Sequence, residues 1–233
     1  MKKRTHWTPS SLKDFETCPA KYNWTYQFEQ ADWLALGYAS GPRSSSPAMD
    51  RGTAIHQTCE DFVTGKITLS GLHPAITPAW ANLVRGLRTQ HAVAEEQWEF
   101  DSGWFPKQDA SAALWLRMKI DAHLFDTPLR LRVIDYKSGK FYRSNTEQVE
   151  VYALGAFSKF EAVQEVITEL WYFDGGEPYD KTYKRPQAAK LATKWDGRAR
   201  KALEATAYPP KPSNLCGWCQ YNAKKGGPCH AAA

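Results

Sequence analysis

The chain has 233 residues, a formal net charge of +5 at pH 7, five cysteines, ten tryptophans and eleven tyrosines. That length is ample for one large domain with its own hydrophobic core, and the basic balance, with a pI near 8.9, admits a polyanionic partner such as nucleic acid. Met1-Lys2-Lys3-Arg4 has no apolar run behind it, so it does not read as a signal peptide, and no stretch is long enough to span a bilayer. A cytoplasmic protein is the natural expectation, and there the cysteines read as metal ligands or free thiols rather than a disulfide framework. The aromatic residues exceed what a core of this size needs. Rings among basic residues are what single nucleic-acid strands stack on, although they also fill cores.

Taken in order, Thr8-Pro9-Ser10-Ser11 marks a helix start. Pro9 suits the first helical position, Ser11 with Asp14 offers an alternative capping box, and Leu12 and Phe15 face inward. Pro19 should end or kink this helix, after which Tyr22, Trp24, Tyr26 and Phe28 follow in alternation. Residues 40–47 form a loop. Arg51 to Val63 reads as a helix with Ile55, Cys59 and Phe62 on its buried side. His56 lies beside that face, and a lone helical histidine matters only where something calls for a metal ligand. Thr77-Pro78 caps a further helix carrying the stripe Trp80, Leu83, Val84 and Leu87. Glu95 to Phe100 is a short strand whose Glu99 is a candidate site carboxylate, against the plainer reading of a solvated acid.

The centre of the chain carries the chemistry. Ala113 to Phe125 reads as a strand with Arg117, Lys119, Asp121 and His123 on one face, and a second strand follows the turn Asp126-Thr127-Pro128. The second strand runs out through Ile134-Asp135-Tyr136-Lys137-Ser138-Gly139-Lys140. Residues i and i+2 share a strand face, so Asp135 and Lys137 point the same way. Alone, such a pair is an ordinary salt bridge. A hairpin that also brings up Asp121 gives two carboxylates and a lysine, a set suited to magnesium or manganese and to phosphoryl chemistry.

Ser144 with Glu147 forms a capping box for a helix to about Phe160, buried through Val149, Ala153, Ala156, Phe157 and Phe160, with Gln148 and Tyr152 on another stripe. Strands at Val166 to Phe173 and around Tyr179 to Lys184 flank Asp174-Gly175-Gly176. The last helix, Gln187 to Ala205, buries Leu191, Trp195 and Ala202. Beside them run Lys190, Lys194, Arg198 and Lys201, a basic track that suits a phosphate backbone or is a solvated face. The tail holds Cys216-Gly217-Trp218-Cys219 and, after nine residues, Cys229. Its apolar content is too low to fold alone, so a metal or cluster is a physical reason for order. Cys18 or His230 completes the set, His230 favouring zinc and four thiolates suiting zinc or iron and sulfur.

In this order the residues resemble the RecB-like branch of the PD-(D/E)XK nucleases, in particular the small CRISPR-associated RecB-like exonucleases and their phage relatives. The matching segments are Ser11 to Pro19, Gly52-Thr53-Ala54-Ile55-His56, Asp121, Asp135 to Lys140, Gln148-x-x-x-Tyr152 and the terminal cysteines. The resemblance implies a single α/β domain over 1–233, a PD-(D/E)XK restriction-endonuclease-like core of mixed sheet flanked by helices. Residues 1–30 and 206–233 would jointly form an iron-sulfur lobe tying the N- and C-terminal segments together. It implies that His56, Asp121, Asp135 and the Tyr136 backbone carbonyl bind Mn2+ or Mg2+, that Lys137 orients water or stabilises developing charge, and that Gln148 and Tyr152 flank the site. Cys18, Cys216, Cys219 and Cys229 would hold a 4Fe-4S cluster. The implied activity is exonucleolytic cleavage of DNA, single-stranded ends favoured, in a bacterial, archaeal or phage-infected cell, with a helicase, integrase or recombination partner. Two features depart from the family pattern: Met118 stands where glycine is usual, and the last two cysteines are more widely spaced.

Overall fold

Apolar and charged residues alternate on either side of the turn at Pro128-Leu129 and build an antiparallel hairpin at the centre of a five-stranded mixed sheet. The computed structural model of the chain describes residues 2–42, 46–108, 112–139, 141 and 145–231. The strands β1 (Val93–Phe100), β2 (Leu116–Thr127), β3 (Arg130–Lys137), β4 (Glu165–Tyr172) and β5 (Tyr179–Lys184) lie side by side in chain order. All neighbours are antiparallel except β3 and β4. A parallel pair needs a crossover, and the helix between them supplies it.

By contact, the chain divides into two units, Ser46–Lys194 and Met1–Ser45 with Trp195–Ala233. In the first, α4 (Pro47–Val63) and α5 (Pro78–Thr89) cover one face of the sheet, with Ile55, Cys59, Phe62, Trp80, Val84 and Leu87 packed against Ala122, Leu124, Ile134, Tyr136, Trp171 and Phe173. Ile134 and Tyr136 of β3 therefore serve this core. The odd residue Asp135 meets α6 (Gln148–Lys159) instead, accepting the Tyr152 hydroxyl. The N-cap of α6 is Glu147; the expected cap at Ser144 falls outside the described residues, as does Lys140. A Cβ on Gly155 of α6 would sit 2.8 Å from Met118 Cε. Methionine at position 118 is thus accommodated by the missing side chain opposite it.

The unit made from the two ends of the chain holds α1 (Pro9–Thr17), α2 (Pro19–Tyr26), α3 (Gln30–Ala35) and the C-terminal part of α7 (Ala188–Leu203). The capping box of α1 is Thr8 with Ser11, whose side chains bond each other's backbone N–H at 2.9 and 3.0 Å. Ser11 is thereby the third helical residue and not the cap. Asp14 takes Lys21 at 2.6 Å and the Tyr26 hydroxyl at 3.0 Å. The alternating aromatics after Pro19 are helical: the fixed φ of proline opens a helix as readily as it closes one, and Tyr22, Trp24 and Tyr26 lie on α2. Their period is overridden by packing, since Tyr22 stacks on Tyr208 and Trp24 meets Tyr221 at a tilt. Trp33 of α3, a helix with no clear sequence signal, stacks on the other side of this cluster, 5.9 Å from Tyr221. No helix among the described residues is long and apolar enough to cross a membrane.

Two groups make the sheet unit testable. Arg185 donates to the carbonyls of Phe157, Phe160 and Val163 at 3.1, 2.7 and 2.5 Å, closing the open C-terminal end of α6 with charge-assisted bonds. Arg185→Ala should cost about 2 kcal/mol in denaturant unfolding, and Arg185→Lys should restore only part of it. His123 is 3 % exposed, its ring 5.4 Å from Trp98 and 5.8 Å from Phe160. Nδ1 has no bond and Nε2 is 3.6 Å from Glu96. Burial pushes its pKa below the ordinary 6.5 although Glu96 pulls the other way. The unfolded chain therefore takes up the proton first, and stability falls as pH drops through and below about 6.5. His123→Phe should flatten this limb of the unfolding free energy between about pH 7 and 5.

Candidate active site

The register of the central hairpin sets Ala122 opposite Ile134, so Asp121 and Asp135 occupy adjoining positions on neighbouring strands. Both are buried, at 7 % and 5 % exposure. Asp121 Oδ2 accepts the Tyr136 backbone N–H at 2.6 Å, which ties the two strands beyond their last ladder pair. Its other oxygen is 3.2 Å from His56 Nδ1, and the His56 ring meets Tyr136 edge-on. The histidine reaches this point because α4 runs close to the end of β3: a Cβ on Gly52 would sit 2.9 Å from Ser138 Oγ. Arg51 anchors the same turn, donating to Ser138 O at 2.5 Å and to both oxygens of Asp174.

Asp135 is held by three groups. Lys137 Nζ lies 2.5 Å from Oδ2, the Tyr152 hydroxyl donates to Oδ1 at 2.8 Å, and Gln148 Nε2 reaches Oδ1 at 3.4 Å. Gln148 also accepts from Lys137 at 3.3 Å and donates to Tyr152. The first turn of α6 thus spans both ends of the acid-lysine pair. Burial raises the Asp135 pKa and Asp121 adds to this, while Lys137 and Tyr152 oppose it. For Lys137 burial alone would lower the pKa, but the Asp135 charge and hydrogen bond lift it above the ordinary value. With the described neighbours the lysine is an ammonium, suited to stabilising negative charge rather than to accepting a proton.

The third carboxylate near His56 and Asp121 is Glu95. Ligand atoms of these three residues lie within 4.8 Å of one another. Burial, with Asp121 among the further causes, raises the Glu95 pKa, and Lys119 opposes the shift. Glu99, the strand acid singled out from sequence, instead accepts from Arg117 at 2.8 Å and Gln97 at 2.7 Å. The register is what moves the choice by four residues: with Ala94 opposite Ala122 and Glu96 opposite Ile120, Glu95 falls across from Asp121, while Glu99 falls across from Arg117. Glu95 also has φ 55°, a left-handed conformation that is uncommon off glycine. One imidazole and two carboxylates form a mixed nitrogen and oxygen set that could hold a divalent cation.

In the unit formed by the chain ends, Cys18 sits extended between α1 and α2. Its Sγ accepts the Lys211 backbone N–H at 3.4 Å, and Cys216 Sγ accepts that of Ser213 at 3.3 Å. Cys229 N–H bonds Tyr221 O at 2.8 Å. The segments carrying Cys18, Cys216, Cys219 and Cys229 therefore fold in one unit. Among the described residues, no three of these sulfurs fall within 4.8 Å of one another. Of the basic track on α7, Lys194 pairs with Glu150 at 2.6 Å. Arg198 pairs with Glu16 and covers the Trp195 ring, and Lys190 and Lys201 are exposed.

Replacing Glu95 by Gln should weaken Mn2+ binding at least about tenfold, as loss of even a supporting group does at metal sites, whereas Glu99→Gln should leave it unchanged; titration of free Mn2+ by its electron paramagnetic resonance signal measures both.

No curated protein sequence matches the chain. A solved structure described as "Crystal structure of SSO0001" superposes over 100 % of this chain and 90 % of its own, with 14 % identity and a TM-score of 0.47. A family model described as "PD-(D/E)XK nuclease superfamily" matches residues 6–223. With a match over nearly its whole length, and a five-stranded mixed sheet flanked by helices, the chain belongs to the PD-(D/E)XK nuclease superfamily.

Proposed function

We propose that the protein is a Mn2+- or Mg2+-dependent deoxyribonuclease that degrades DNA from its ends, single-stranded ends favoured. The observation that carries this reading is the pairing of Asp135 with Lys137 beside Asp121 and His56, inside a nuclease-family fold. His56, Asp121, Asp135 and the Tyr136 carbonyl would hold the ion, with Glu95 as a further donor. Bound there, a divalent ion provides an activated water and offsets phosphate charge. Lys137 places its ammonium where charge develops on the pentavalent phosphorus oxygens. Gln148 fixes both Lys137 and Asp135, and Tyr152 donates to the Asp135 oxygen that Lys137 does not take, so the carboxylate keeps one orientation.

Cys18, Cys216, Cys219 and Cys229 are assigned to a 4Fe-4S cluster fastening the chain ends. The backbone N–H donors to the Cys18 and Cys216 sulfurs support thiolate ligands at these positions. Lys190 and Lys201 would carry the exposed part of a phosphate-tracking stripe, with Lys194 and Arg198 pairing locally. The setting is recombination, repair or CRISPR spacer acquisition, alongside a helicase, integrase or recombination partner.

Anaerobically purified protein incubated with end-labelled single-stranded and duplex DNA tests the assignment. Label should be lost with Mn2+ and retained with chelator. Asp135→Ala should abolish the loss, and Lys137→Ala should slow it by about 10²- to 10³-fold. Lys137→Arg with full activity across pH would leave the lysine as a charge and nothing more. Absence of cleavage by iron-loaded protein under every metal condition would turn the assignment toward a protein that binds DNA ends without cutting them.

A further inference from the structure

The basic segment at the start of the chain is absorbed by none of the chemistry above. It does not trail free: Lys2 N–H donates to Gln27 O at 3.0 Å, laying residues 2–6 beside the C-terminal end of α2. Between them is a groove of about 380 Å³, lined by Lys2, Lys3, Arg4, Tyr26, Gln27 and Phe28. That volume falls within the roughly 300–1,000 Å³ of small-ligand sites.

Three features of this groove point to one ligand chemistry. Lys2 and Lys3 are exposed, and neither has a carboxylate within ion-pair distance among the described residues. Arg4 lies 4.7 Å over the Tyr26 ring and donates to His6 O. The acids nearby are engaged elsewhere: Asp14 holds Lys21 and Tyr26, and Glu29, the one carboxylate on the groove wall, forms the capping box of α3 with Asp32. The third feature is Gln27. The residue is 5 % exposed, it lines the groove, and its Nε2 donor has no acceptor among the described residues. A buried amide donor left unpaired costs about 1–3 kcal/mol, and a groove with this charge would pair it with an anionic oxygen.

We propose that this groove is a phosphate seat for single-stranded nucleic acid. It takes one backbone phosphodiester between Lys2, Lys3 and the Gln27 amide, with Phe28 offering a ring edge to the adjoining nucleotide. The choice of nucleic acid over another phosphate ester rests on the nuclease reading.

The test uses Asp135→Ala full-length protein, in which binding is measured without cleavage. Anisotropy of a labelled oligothymidylate is followed across a salt series. Adding Lys2→Ala with Lys3→Ala should weaken binding about three- to tenfold and reduce the slope of log affinity against log salt by about 0.7, one phosphate's worth on a single strand. Adding Gln27→Leu should weaken binding by a similar factor with the slope unchanged, because a neutral donor is lost. Its melting temperature should hold or rise, since the unpaired donor has gone. If the lysine pair binds like its parent at every salt concentration, the seat is refuted, whatever Gln27→Leu does. If calorimetry with inorganic phosphate shows the variants losing phosphate while the oligonucleotide binds unchanged, the groove takes a free phosphate and the nucleic-acid assignment is refuted. Cleavage by the wild-type protein is read separately, so failure of the seat and failure of the nuclease reading are distinguished.

Discussion

A carboxylate at 5 % exposure is the constraint around which the sheet unit is arranged. Removing such a charge from water is costly unless hydrogen bonds and an opposite charge replace the lost solvation. Asp135 obtains these from three directions: its own strand through Lys137, the first turn of α6 through Gln148, and the next turn through Tyr152. Each of those groups sits where secondary structure fixes it. The i+2 spacing in β3 aligns Lys137, the i+4 spacing in α6 aligns Gln148 with Tyr152, and the crossover between parallel β3 and β4 lays α6 across the strand. The same residues that make burial of the acid tolerable are the ones that orient it.

The opposite face of β3 has an equally specific task. Tyr136 points into the core under α4 and α5 while its backbone N–H is bonded to Asp121. One residue therefore locks the hairpin to the hydrophobic core and sets the second carboxylate. Gly52 then decides how close α4 comes. Any side chain there would meet Ser138, so the glycine and Arg51 together bring the helix to the distance at which His56, one turn further, touches Asp121. The spacing of His56 and Asp121 is thus set by backbone packing that lies outside the pair itself.

Much of this was legible in sequence because it follows from period alone. The hairpin, the shared face of Asp135 and Lys137, the stripe that puts His56 beside the buried side of α4, and the stripe joining Gln148 and Tyr152 all depend on strand and helix repeats. The boundaries of β5 agree with the reading from turn residues. What escaped depends on tertiary packing or strand register. Glu95 shares strand parity with Gln97 and Glu99, and only the pairing of β1 with β2, which sets it across from Asp121, separates it from them. The helices α2 and α3 carry large rings in patterns that fit a strand as well. Their helical state is fixed by Tyr208 and Tyr221, almost two hundred residues away along the chain. A sequence window holds neither signal.

The acids around His56 illustrate why such a site is built at some expense to the fold. Burial raises the pKa of Asp135 and of Glu95, and in each case Asp121 raises it further. Three carboxylates converge while Lys137 and Lys119 offset only part of their mutual repulsion. Glu95 adds backbone strain of order 1–3 kcal/mol. A fold selected for stability alone would replace these groups with apolar ones of similar size. Under the proposed function a divalent cation would complete the charge balance: binding the native state and not the unfolded one, it would return as stability what these carboxylates cost without it. The hydrophobic core beneath Tyr136 provides the stability that holds these strained and mutually repelling groups in place.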